Sequence, residues 1–540
     1  MTAPRGSSPG NARTVVFPLL FVIAPLAFGG LALALGMDAD WDLRNYHYYN
    51  AWAFLTDRYR SDIAVAQIPT FYNPFLDIPY FLLAQAMPAR ALAFLLGALH
   101  GLNVILLALL GECLIPIRDA GRRRLLAAAA AVAGATGAMA LSEVGTVFYD
   151  NLLSLGFLAT LVLTIRAWDR LAASGRGAAV TAAFLTGLPV GLAFGLKLTT
   201  VTFCAGHCVA LLLCLPAAPS RRFLVAFSAG IGVLAGLAAG GGYWMSHLWS
   251  LYGNPLFPMF NQVFQSPWGL PDAYRDTQFL DGGLLRRLVY PIIFSIDSRE
   301  AGEVLFRDYR ILLAFLLVPA SGIAILARRR RAATGTGTAP GTGYTLTAVA
   351  IAYGVWLQMF ALYRYITAIE MLAPLLVVLS LGLLWPGTTK WRPAALALLA
   401  VMMLTTRPGD WIRVPFTDRA VEVAVPAIAD PDHTIVLLAG HEPLSFLLPS
   451  FPEGMRFLRI DSTFTNPDQR DVRFNQVMRR QVADHRGPLM ALFIPTERHD
   501  VVRRLGDYGL ALDDTRCAEV TSPIGAAPYA LCPLERRFIQ

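Results

Sequence analysis

Charged residues are scarce in this chain. Asp, Glu, Lys and Arg make up only 15% of its 540 residues, whereas a soluble domain typically carries about 25%. Hydrophobic residues reach 55%, and the mean hydropathy is +0.51. So few charges cannot cover the surfaces of the several soluble domains that this length would otherwise suggest. The composition excludes a soluble enzyme and a nucleic-acid-binding protein, and it predicts an α-helical polytopic membrane protein.

Lysine is almost absent, since only Lys197 and Lys390 occur. Nearly all of the positive charge, in a chain of net charge +8, is therefore arginine. The arginines cluster at every second connection between apolar runs, which is the pattern of the positive-inside rule. The basic balance thus indicates membrane topology rather than an acidic partner.

Apolar runs long enough to cross a bilayer, about 20 residues each, recur along the chain. They predict about eleven spans, with an uncertainty of one or two: 15–37, 89–117, 125–142, 152–166, 178–197, 200–216, 223–244, 312–327, 345–363, 366–385 and 393–405. The first run contains Ala32-Leu33-Ala34, which resembles a signal-peptidase site. However, it is longer than the apolar core of a signal peptide, and an uncleaved helix is favoured.

The arginine pattern also predicts sidedness in a bacterial inner membrane. The N-terminus, with Arg5 and Arg13, and the flexible linker 334–341 are expected in the cytoplasm. The first loop (38–77), the second large loop (248–310) and the C-terminal region are expected in the periplasm. From about Arg407 the composition turns soluble, which divides the chain into a transmembrane domain (1–406) and a periplasmic α/β domain (407–540). Strands are predicted at 434–438 and 489–494, and helices at 471–484 and 498–506.

Cysteine is sparse as well, with six residues. Four fall within predicted spans, where we interpret them as small apolar residues: Cys113, Cys204, Cys208 and Cys214. Cys204 and Cys208 with His207 make an incomplete zinc set. Cys517 and Cys532 are able to form a disulfide if the soluble domain is periplasmic, and the sequence leaves this open.

The first loop begins with a cluster of acidic and aromatic residues. Asp38, Asp40 and Asp42 leave the membrane together, and four rings follow at once, including Tyr46 and His47. Carboxylates near a hydrocarbon boundary are partly desolvated, which raises their pKa and suits a general base or an acceptor that activates an alcohol. Aromatic faces suit the apolar faces of sugar rings. The alternative is an interfacial aromatic belt beside solvated acids.

These features resemble a known superfamily. The acids after the first span, the aromatic loop, the Tyr/Pro segment that contains Tyr72 and the soluble C-terminal region are similar to the GT-C integral-membrane glycosyltransferases. That superfamily uses polyprenyl-phosphate sugars and includes protein mannosyltransferases and the lipid A aminoarabinose transferase. The string from Asp42 to His47, Asp-Leu-Arg-Asn-Tyr-His, is most similar to bacterial members near glycosyltransferase family 87. The resemblance covers the membrane portion, about 400 residues, and is weak for the substrate.

The resemblance implies catalytic roles for several acids. Asp42, four residues before Tyr46, matches the loop-one aspartate that binds and deprotonates the acceptor hydroxyl. Asp40 is the second choice, and the register among the three aspartates stays open. Asp150, with Glu143 as the alternative, matches a second acid at the start of the fourth span. A helix N-terminal charge that favours the macrodipole is the other interpretation of Asp150.

The donor phosphate requires cations. Lys197 and Arg364 lie at predicted periplasmic span ends, and Arg364 sits in a Tyr-Arg-Tyr segment of the kind found in the family. Snorkelling towards the headgroups is the alternative. Glu370 is expected to pair with one of these cations or to bind the acceptor. The resemblance further implies that Tyr46, His47 and Tyr72 contact acceptor or sugar.

The sequence leaves open whether the first loop binds a divalent metal ion. Asp38, Asp40 and Asp42 carry the oxygen ligands that Mg²⁺ or Mn²⁺ takes, and extended spacing would put them on one side of the chain. In the second large loop, we interpret the charged residues as a solvated loop or a lid: Asp272, Arg275, Asp276, Arg286, Arg287, Asp297, Arg299 and Glu300.

The expected activity is transfer of a hexosyl or pentosyl group, on the periplasmic face, from a polyprenyl-phosphate donor to an envelope lipid, glycan or protein. One alternative is a flippase or transporter of lipid-linked sugars. Transporters often contain inverted repeats, and no half-to-half similarity is present here. The second alternative is an O-antigen-type polymerase. Such polymerases usually concentrate arginine and histidine in a large late loop, whereas the most informative residues of this chain are acids in its first loop.

Overall fold

The computed structural model describes residues 16–280, 282–329, 339–525 and 527–537 and is mainly helical. The helices up to the middle of the chain are α1 (Val16–Leu35), α2 (Tyr48–Leu55), α3 (Asp77–Ala86), α4 (Ala89–Leu114), α5 (Ala120–Ala135), α6 (Ala138–Ser142), α7 (Asp150–Arg166), α8 (Trp168–Ala173), α9 (Arg176–Leu196), α10 (Val201–Cys214) and α11 (Pro219–Tyr252). The remaining helices are α12 (Asn261–Phe264), α13 (Leu284–Leu288), α14 (Tyr290–Ile296), α15 (Arg310–Arg329), α16 (Thr342–Met359), α17 (Thr367–Leu384), α18 (Trp391–Thr405), α19 (Arg473–Asp484) and α20 (Arg498–Gly506).

Each of the apolar runs predicted as spans overlaps a helix, and the run 125–142 covers two, α5 and α6. Among the described residues, 4 helices are long and apolar enough to cross a membrane: Ala89–Leu114, Arg176–Leu196, Pro219–Tyr252 and Tyr363–Leu384. Shorter apolar helices are Leu19–Leu35, Leu198–Cys214, Arg310–Ile325 and Trp391–Thr405. The fold is thus of the polytopic type, and the number of spans stays a prediction. Arg5, Arg13 and most of the 334–341 linker lie outside the described residues.

Two helices that lead into the site pack through glycine. Three glycines of α9 lie against the backbone of α11: Gly187, Gly191 and Gly195. Three glycines of α11 lie in turn against the backbone of α9: Gly232, Gly236 and Gly240. A Cβ atom added at Gly191 would lie 2.2 Å from the carbonyl oxygen of Val233. Small residues spaced by four allow helix backbones to approach this closely in a membrane. On α9 this series of glycines, the glycine ladder, ends two residues before Lys197 and therefore positions that side chain.

The C-terminal region contains a mixed sheet. Its strands are β3 (Ile435–Leu438), β4 (Arg456–Arg459), β5 (Leu489–Phe493), β6 (Leu510–Leu512), β7 (Ala518–Val520) and β8 (Tyr529–Arg536), after the short β1 (Met37–Asp38) and β2 (Arg413–Val414). The order is β4-β3-β5-β8-β6, and β7 pairs with β8. Strands β4, β3 and β5 are parallel, whereas β8 is antiparallel to β5. Strands β3 and β5 and helices α19 and α20 correspond to the four predicted elements.

This sheet is tied to the first loop. Ile63 pairs with Leu458 on the outer edge of β4, and Asp62 accepts a hydrogen bond from the backbone N–H of Phe457. Apolar side chains of the loop and of the sheet share one buried core. At the start of the first loop, β1 pairs with β2 as an antiparallel ladder, which joins the end of α1 to the segment after α18. The C-terminal region therefore holds both ends of the first loop.

Gln67 extends this contact to the carboxyl ends of the parallel strands. Strands β4 and β5 flank β3, and ligands of open α/β sheets commonly bind at such a reversal of strand order. Here the fully buried Gln67 donates a hydrogen bond to the carbonyl of His441, just after β3. It also accepts one from the hydroxyl of Thr463 at 2.8 Å. A residue of the first loop thus lies where such a ligand would bind.

A disulfide joins Cys517 to Cys532. It connects the residue before β7 to the middle of β8 and closes a loop with a sequence separation of 15. The question that the sequence left open is thereby answered in favour of a bond.

Candidate functional site

The three aspartates after α1 have different surroundings. Asp38 accepts hydrogen bonds from the backbone N–H groups of Asp40 and Val147. Asp40 is almost fully buried and accepts the N–H of Leu43 at 2.8 Å, so it caps the helical turn that follows. Burial raises the pKa of Asp40 well above its usual value, and the neighbouring charge of Asp38 adds to the effect. The carboxyl groups of these two acids therefore act as hydrogen-bond acceptors for backbone N–H groups.

Asp42 instead has a cation as its partner. Its Oδ2 atom lies 2.8 Å from Nη1 of Arg364, and Tyr46 donates its hydroxyl to the same oxygen at 3.3 Å. Burial alone would raise the pKa of Asp42, but the guanidinium of Arg364 overcomes it, with a smaller contribution from His47, and the pKa lies below its usual value. Asp42 is therefore an ionised hydrogen-bond acceptor at neutral pH.

Arg364 lies at the centre of the site. It belongs to the short helical turn Tyr363–Ile366 that precedes α17. A second carboxylate, that of Glu303, lies 3.5 Å from its Nη2 atom. Its guanidinium carbon stands 4.3 Å from the ring centre of Phe148 and 5.6 Å from that of Trp411. Its Nε atom is buried and has no acceptor among the described residues.

Lys197 is the second cation. It follows α9 and donates to the carboxylate of Asp150 at 2.8 Å and to the carbonyl of Phe148 at 3.1 Å. The ring of Tyr365 lies 5.5 Å from the Lys197 ammonium and 5.7 Å from the Arg364 guanidinium carbon. The two cations thus share one aromatic neighbour, and Phe148 contacts both through its ring and its carbonyl.

Asn73 connects this region to the glycine ladder. Its side-chain amide donates to the carbonyls of Gly195 and Gly240, at 2.9 and 2.8 Å. One residue of the first loop therefore bridges α9 and α11 immediately before Lys197. The approach of the two helices and the position of the cation are linked by this amide.

An aromatic wall borders Asp42. The rings of Tyr46 and Tyr72 meet edge to face with centres 5.5 Å apart, and Tyr72 is half-exposed. The imidazole of His47 forms a hydrogen bond with the carboxyl group of Asp77, whose Oδ1 atom lies 2.6 Å from Nδ1 of His47. Burial raises the pKa of Asp77, although His47 opposes the effect. Tyr46 is buried, so the exposed aromatic surface near the carboxylate of Asp42 belongs to Tyr72.

Most of the residues predicted from the sequence meet in this region. Those in contact with one another are Asp42, Tyr46, His47, Tyr72, Asp150, Lys197 and Arg364. Asp40 does not join the group, because its carboxylate caps the loop. Glu370 also lies elsewhere.

Glu370 serves a break between α5 and α6 rather than either cation. It accepts the backbone N–H groups of Met139 and Ala140 and the hydroxyl of Tyr363, at 3.0 to 3.2 Å. The ion pair of Asp308 and Arg310 completes this buried cluster. Both oxygens of Glu370 are therefore engaged by protein groups, and the expected pairing with Arg364 or Lys197 is wrong.

The expected metal site does not form at the first loop. Asp38 and Asp40 bind backbone N–H groups and Asp42 binds Arg364, so the three carboxylates do not converge. The chain is helical from Trp41 onward, which removes the extended spacing that the expectation assumed. Within the described residues, no group of three His, Cys, Asp or Glu side chains is placed to hold a metal ion.

Sequence reasoning missed several residues of the site. Glu303, Phe148 and Trp411 all contact Arg364, yet they come from three distant segments. No local pattern marks them, since their role depends on the return of the chain after α18. In the second large loop, whose charged residues we interpret as a solvated loop or a lid, Arg286 pairs with Glu300 and Arg299 with Asp297.

Comparison with known proteins adds little. No family model matches the chain, and no curated protein matches it. Among solved structures, the chain is similar to the crystal structure of ArnT from Cupriavidus metallidurans bound to undecaprenyl phosphate. The two share 12% identity over 96% of this chain and 98% of the other, with a TM-score of 0.45. A similarity of this size identifies neither the family nor the substrate of this chain.

Proposed function

We propose that this protein is a membrane glycosyltransferase that transfers a sugar from a polyprenyl-phosphate donor on the periplasmic face of a bacterial inner membrane. The observation that carries the proposal is the pair formed by Asp42 and Arg364 beside Lys197. It brings an ionised carboxylate, two cations and aromatic rings together at the ends of apolar helices. A base next to an anion site at a membrane boundary suits a lipid-phosphate donor and a hydroxyl acceptor.

The donor phosphate would bind Arg364. The guanidinium has a free Nε–H donor, and its second carboxylate, Glu303, is half-exposed and more distant than Asp42. A phosphate oxygen that replaces Glu303 would form charge-assisted hydrogen bonds of the kind that arginine favours. Lys197 would complete the binding of the phosphate as a point charge.

Donor binding would then activate Asp42. While Arg364 neutralises Asp42, that carboxylate is a weak base. A phosphate that shares the guanidinium withdraws part of this stabilisation and places a like charge nearby, and both changes raise the pKa of Asp42. The base would thus gain strength only when the donor is present.

The transfer step requires one bond to form and one to break. The acceptor oxygen attacks the anomeric carbon while Asp42 accepts its proton, and the bond from that carbon to the phosphate oxygen breaks. Arg364 and Lys197 stabilise the negative charge that develops on the departing polyprenyl phosphate. Tyr46, Tyr72 and His47 would hold the sugar against the carboxylate.

The location is supported by the disulfide. A bond between Cys517 and Cys532 persists in an oxidising compartment such as the periplasm. We infer that the C-terminal region and the first loop, which share a core, lie on that side.

Binding of undecaprenyl phosphate to the purified, detergent-solubilised protein tests the donor site. Native mass spectrometry should show a bound lipid in the wild type and at least tenfold less in Arg364→Gln and Lys197→Gln. Arg299→Gln is the matched control, because Arg299 is exposed and pairs with Asp297 alone. Equal binding by wild type and Arg364→Gln would exclude Arg364 as the phosphate ligand.

A further inference from the structure

A small polar cavity lies between α4, α7 and the loop 143–149 that connects α6 to α7. It offers about 20 Å³ to the centre of a water-sized ligand, which is room for a single one. Three half-buried leucines border it, and its polar lining comes from His100, Glu143, Thr146, Tyr149 and Asn151. Glu143, the alternative to Asp150 in the sequence, is among them, and the ring of Tyr149 meets that of His47 edge to face with centres 5.0 Å apart, so the cavity adjoins the site around Arg364.

Glu143 is the most unusual member of the lining. It is 3% exposed, and neither of its carboxylate oxygens has a hydrogen-bond donor among the described residues. Several other acids of low exposure have a cation as partner, as Asp42 has Arg364 and Asp308 has Arg310. No arginine or lysine lines the cavity. A buried carboxylate without a partner is costly, so it requires either a proton or a cation.

Two other side chains of the cavity supply acceptor atoms too, whereas Thr146 and Tyr149 line it with hydroxyl groups. His100 donates its Nε2 hydrogen to the carbonyl of Ala135 at 3.0 Å, which leaves the lone pair on Nδ1. Asn151 donates its amide to the carbonyl of Ala140 at 2.9 Å, which leaves Oδ1. Both remaining atoms are buried without a donor in the described part of the chain. The cavity therefore gathers a carboxylate, an imidazole nitrogen and an amide oxygen, each without a hydrogen-bond donor among the described residues.

We propose that this cavity binds one divalent transition-metal ion through Glu143, His100 and Asn151. Carboxylate oxygen and neutral imidazole nitrogen are ligands that Zn²⁺ takes, and carboxylate and carbonyl oxygens suit Mn²⁺. The hydrogen bond from Nε2 of His100 to a backbone carbonyl is the support that metal-binding histidines usually have. The ion is positioned to act through structure, because the loop that carries Glu143 also carries Phe148 and leads directly to Asp150.

Metal binding to the full-length protein in detergent tests the proposal. After removal of metals with a chelator, titration calorimetry with Zn²⁺ and with Mn²⁺ should show one saturable site per chain for at least one of them. Glu143→Gln should weaken that site at least tenfold. Glu112→Gln is the matched control, because Glu112 is a helical acid paired with Arg124 and should bind like the wild type.

Thermal unfolding supplies a second readout. The ion should raise the melting temperature of the wild type and of Glu112→Gln but not that of Glu143→Gln. If Glu143→Gln does not fold, His100→Gln serves instead, since it removes one ligand and keeps the carboxylate. Absence of saturable binding by the wild type, or unchanged binding by the variants, would overturn the proposal in favour of a protonated Glu143. The experiment uses no donor, so its failure leaves the proposed transfer untouched.

Discussion

Asp40 and Asp42 stand two residues apart and have opposite electrostatic environments. Asp40 is buried and lies beside the negative charge of Asp38, and both effects raise its pKa. Asp42 faces the guanidinium of Arg364, and its pKa is lowered. Of the two, Asp42 is the one whose pKa is lowered and which lies next to a phosphate-binding candidate. The choice between them, open in the sequence, depends on a contact between residues 322 positions apart.

The lowered pKa of Asp42 predicts how its contribution to stability depends on pH. Both partners of the ion pair are buried, with 7% and 14% of their side chains exposed. The pair should stabilise the fold by about 2 kcal/mol at neutral pH. A depressed pKa means that this stabilisation is complete above the unfolded value, about 3.9, and is lost as the pH falls below it.

Melting temperatures of wild type and Asp42→Asn between pH 3.5 and 8 measure this dependence. The difference should be constant above about pH 5 and should shrink as the pH falls. Asp57→Asn is the control from the same loop, because Asp57 is exposed and forms only a surface pair with Arg60. A difference that grows in acid would contradict the ion pair.

At the scale of the helix, the glycine ladder of α9 and α11 determines where Lys197 lies. Gly191→Ala would drive a Cβ atom into the backbone of α11 and should cost about 1–3 kcal/mol of stability. Gly230→Ala, on α11 itself, meets open space and should be neutral or slightly stabilising. Thermal unfolding of the two purified variants checks this opposite effect. Equal melting temperatures would mean that the two helices are not in backbone contact.

At the scale of the strand, the disulfide should stabilise the C-terminal sheet. For a separation of 15 residues, the loss of the cross-link is expected to cost about 3 kcal/mol. The double variant Cys517→Ser/Cys532→Ser should therefore melt at a lower temperature than the wild type. Reductant should lower the melting temperature of the wild type but not that of the double variant. Cys113→Ser is the control, since Cys113 is a free thiol in α4. Two reactive thiols at Cys517 and Cys532 in the purified protein would show that the bond is absent.

The elements differ in how far the sequence predicts them. Long apolar runs predict where these helices lie, because length and hydropathy are local properties, although α11 continues to Tyr252, eight residues beyond the predicted span 223–244. Strands β3 and β5 are buried on both faces and read as apolar runs, whereas β6 and β7 have only three residues each and leave no such signal. The break between α5 and α6 was missed as well. It depends on Glu370 and Asp308 capping N–H groups from elsewhere in the chain.

At the scale of the molecule, the first loop and the C-terminal region form one unit. Their shared core, the β1–β2 ladder and the contacts of Gln67 imply that both lie on one side of the membrane. The composition predicts two domains that meet near residue 407, but it contains no information on how they pack. The contacts that create the site around Arg364, including that of Trp411, depend on this packing.

Labelling of an introduced cysteine tests the sidedness of this unit. Arg60→Cys in the first loop and Arg118→Cys after α4 replace two exposed arginines at opposite predicted faces. A membrane-impermeant maleimide should label Arg60→Cys in intact spheroplasts and Arg118→Cys only after permeabilisation. Wild-type protein reports the background from the four free cysteines. The reverse pattern would invert the topology and place the site in the cytoplasm.

The most direct test of the central claim is a mass-spectrometric comparison of envelope glycans and glycolipids. It needs a deletion strain and the same strain expressing the wild type, Asp42→Asn or Asp57→Asn at equal levels. The deletion and Asp42→Asn strains should lack one sugar and accumulate its polyprenyl-phosphate donor, whereas wild type and Asp57→Asn should restore it. Chemically complete glycans that stall on the cytoplasmic face, with Asp42→Asn behaving as wild type, would contradict catalysis and indicate a flippase.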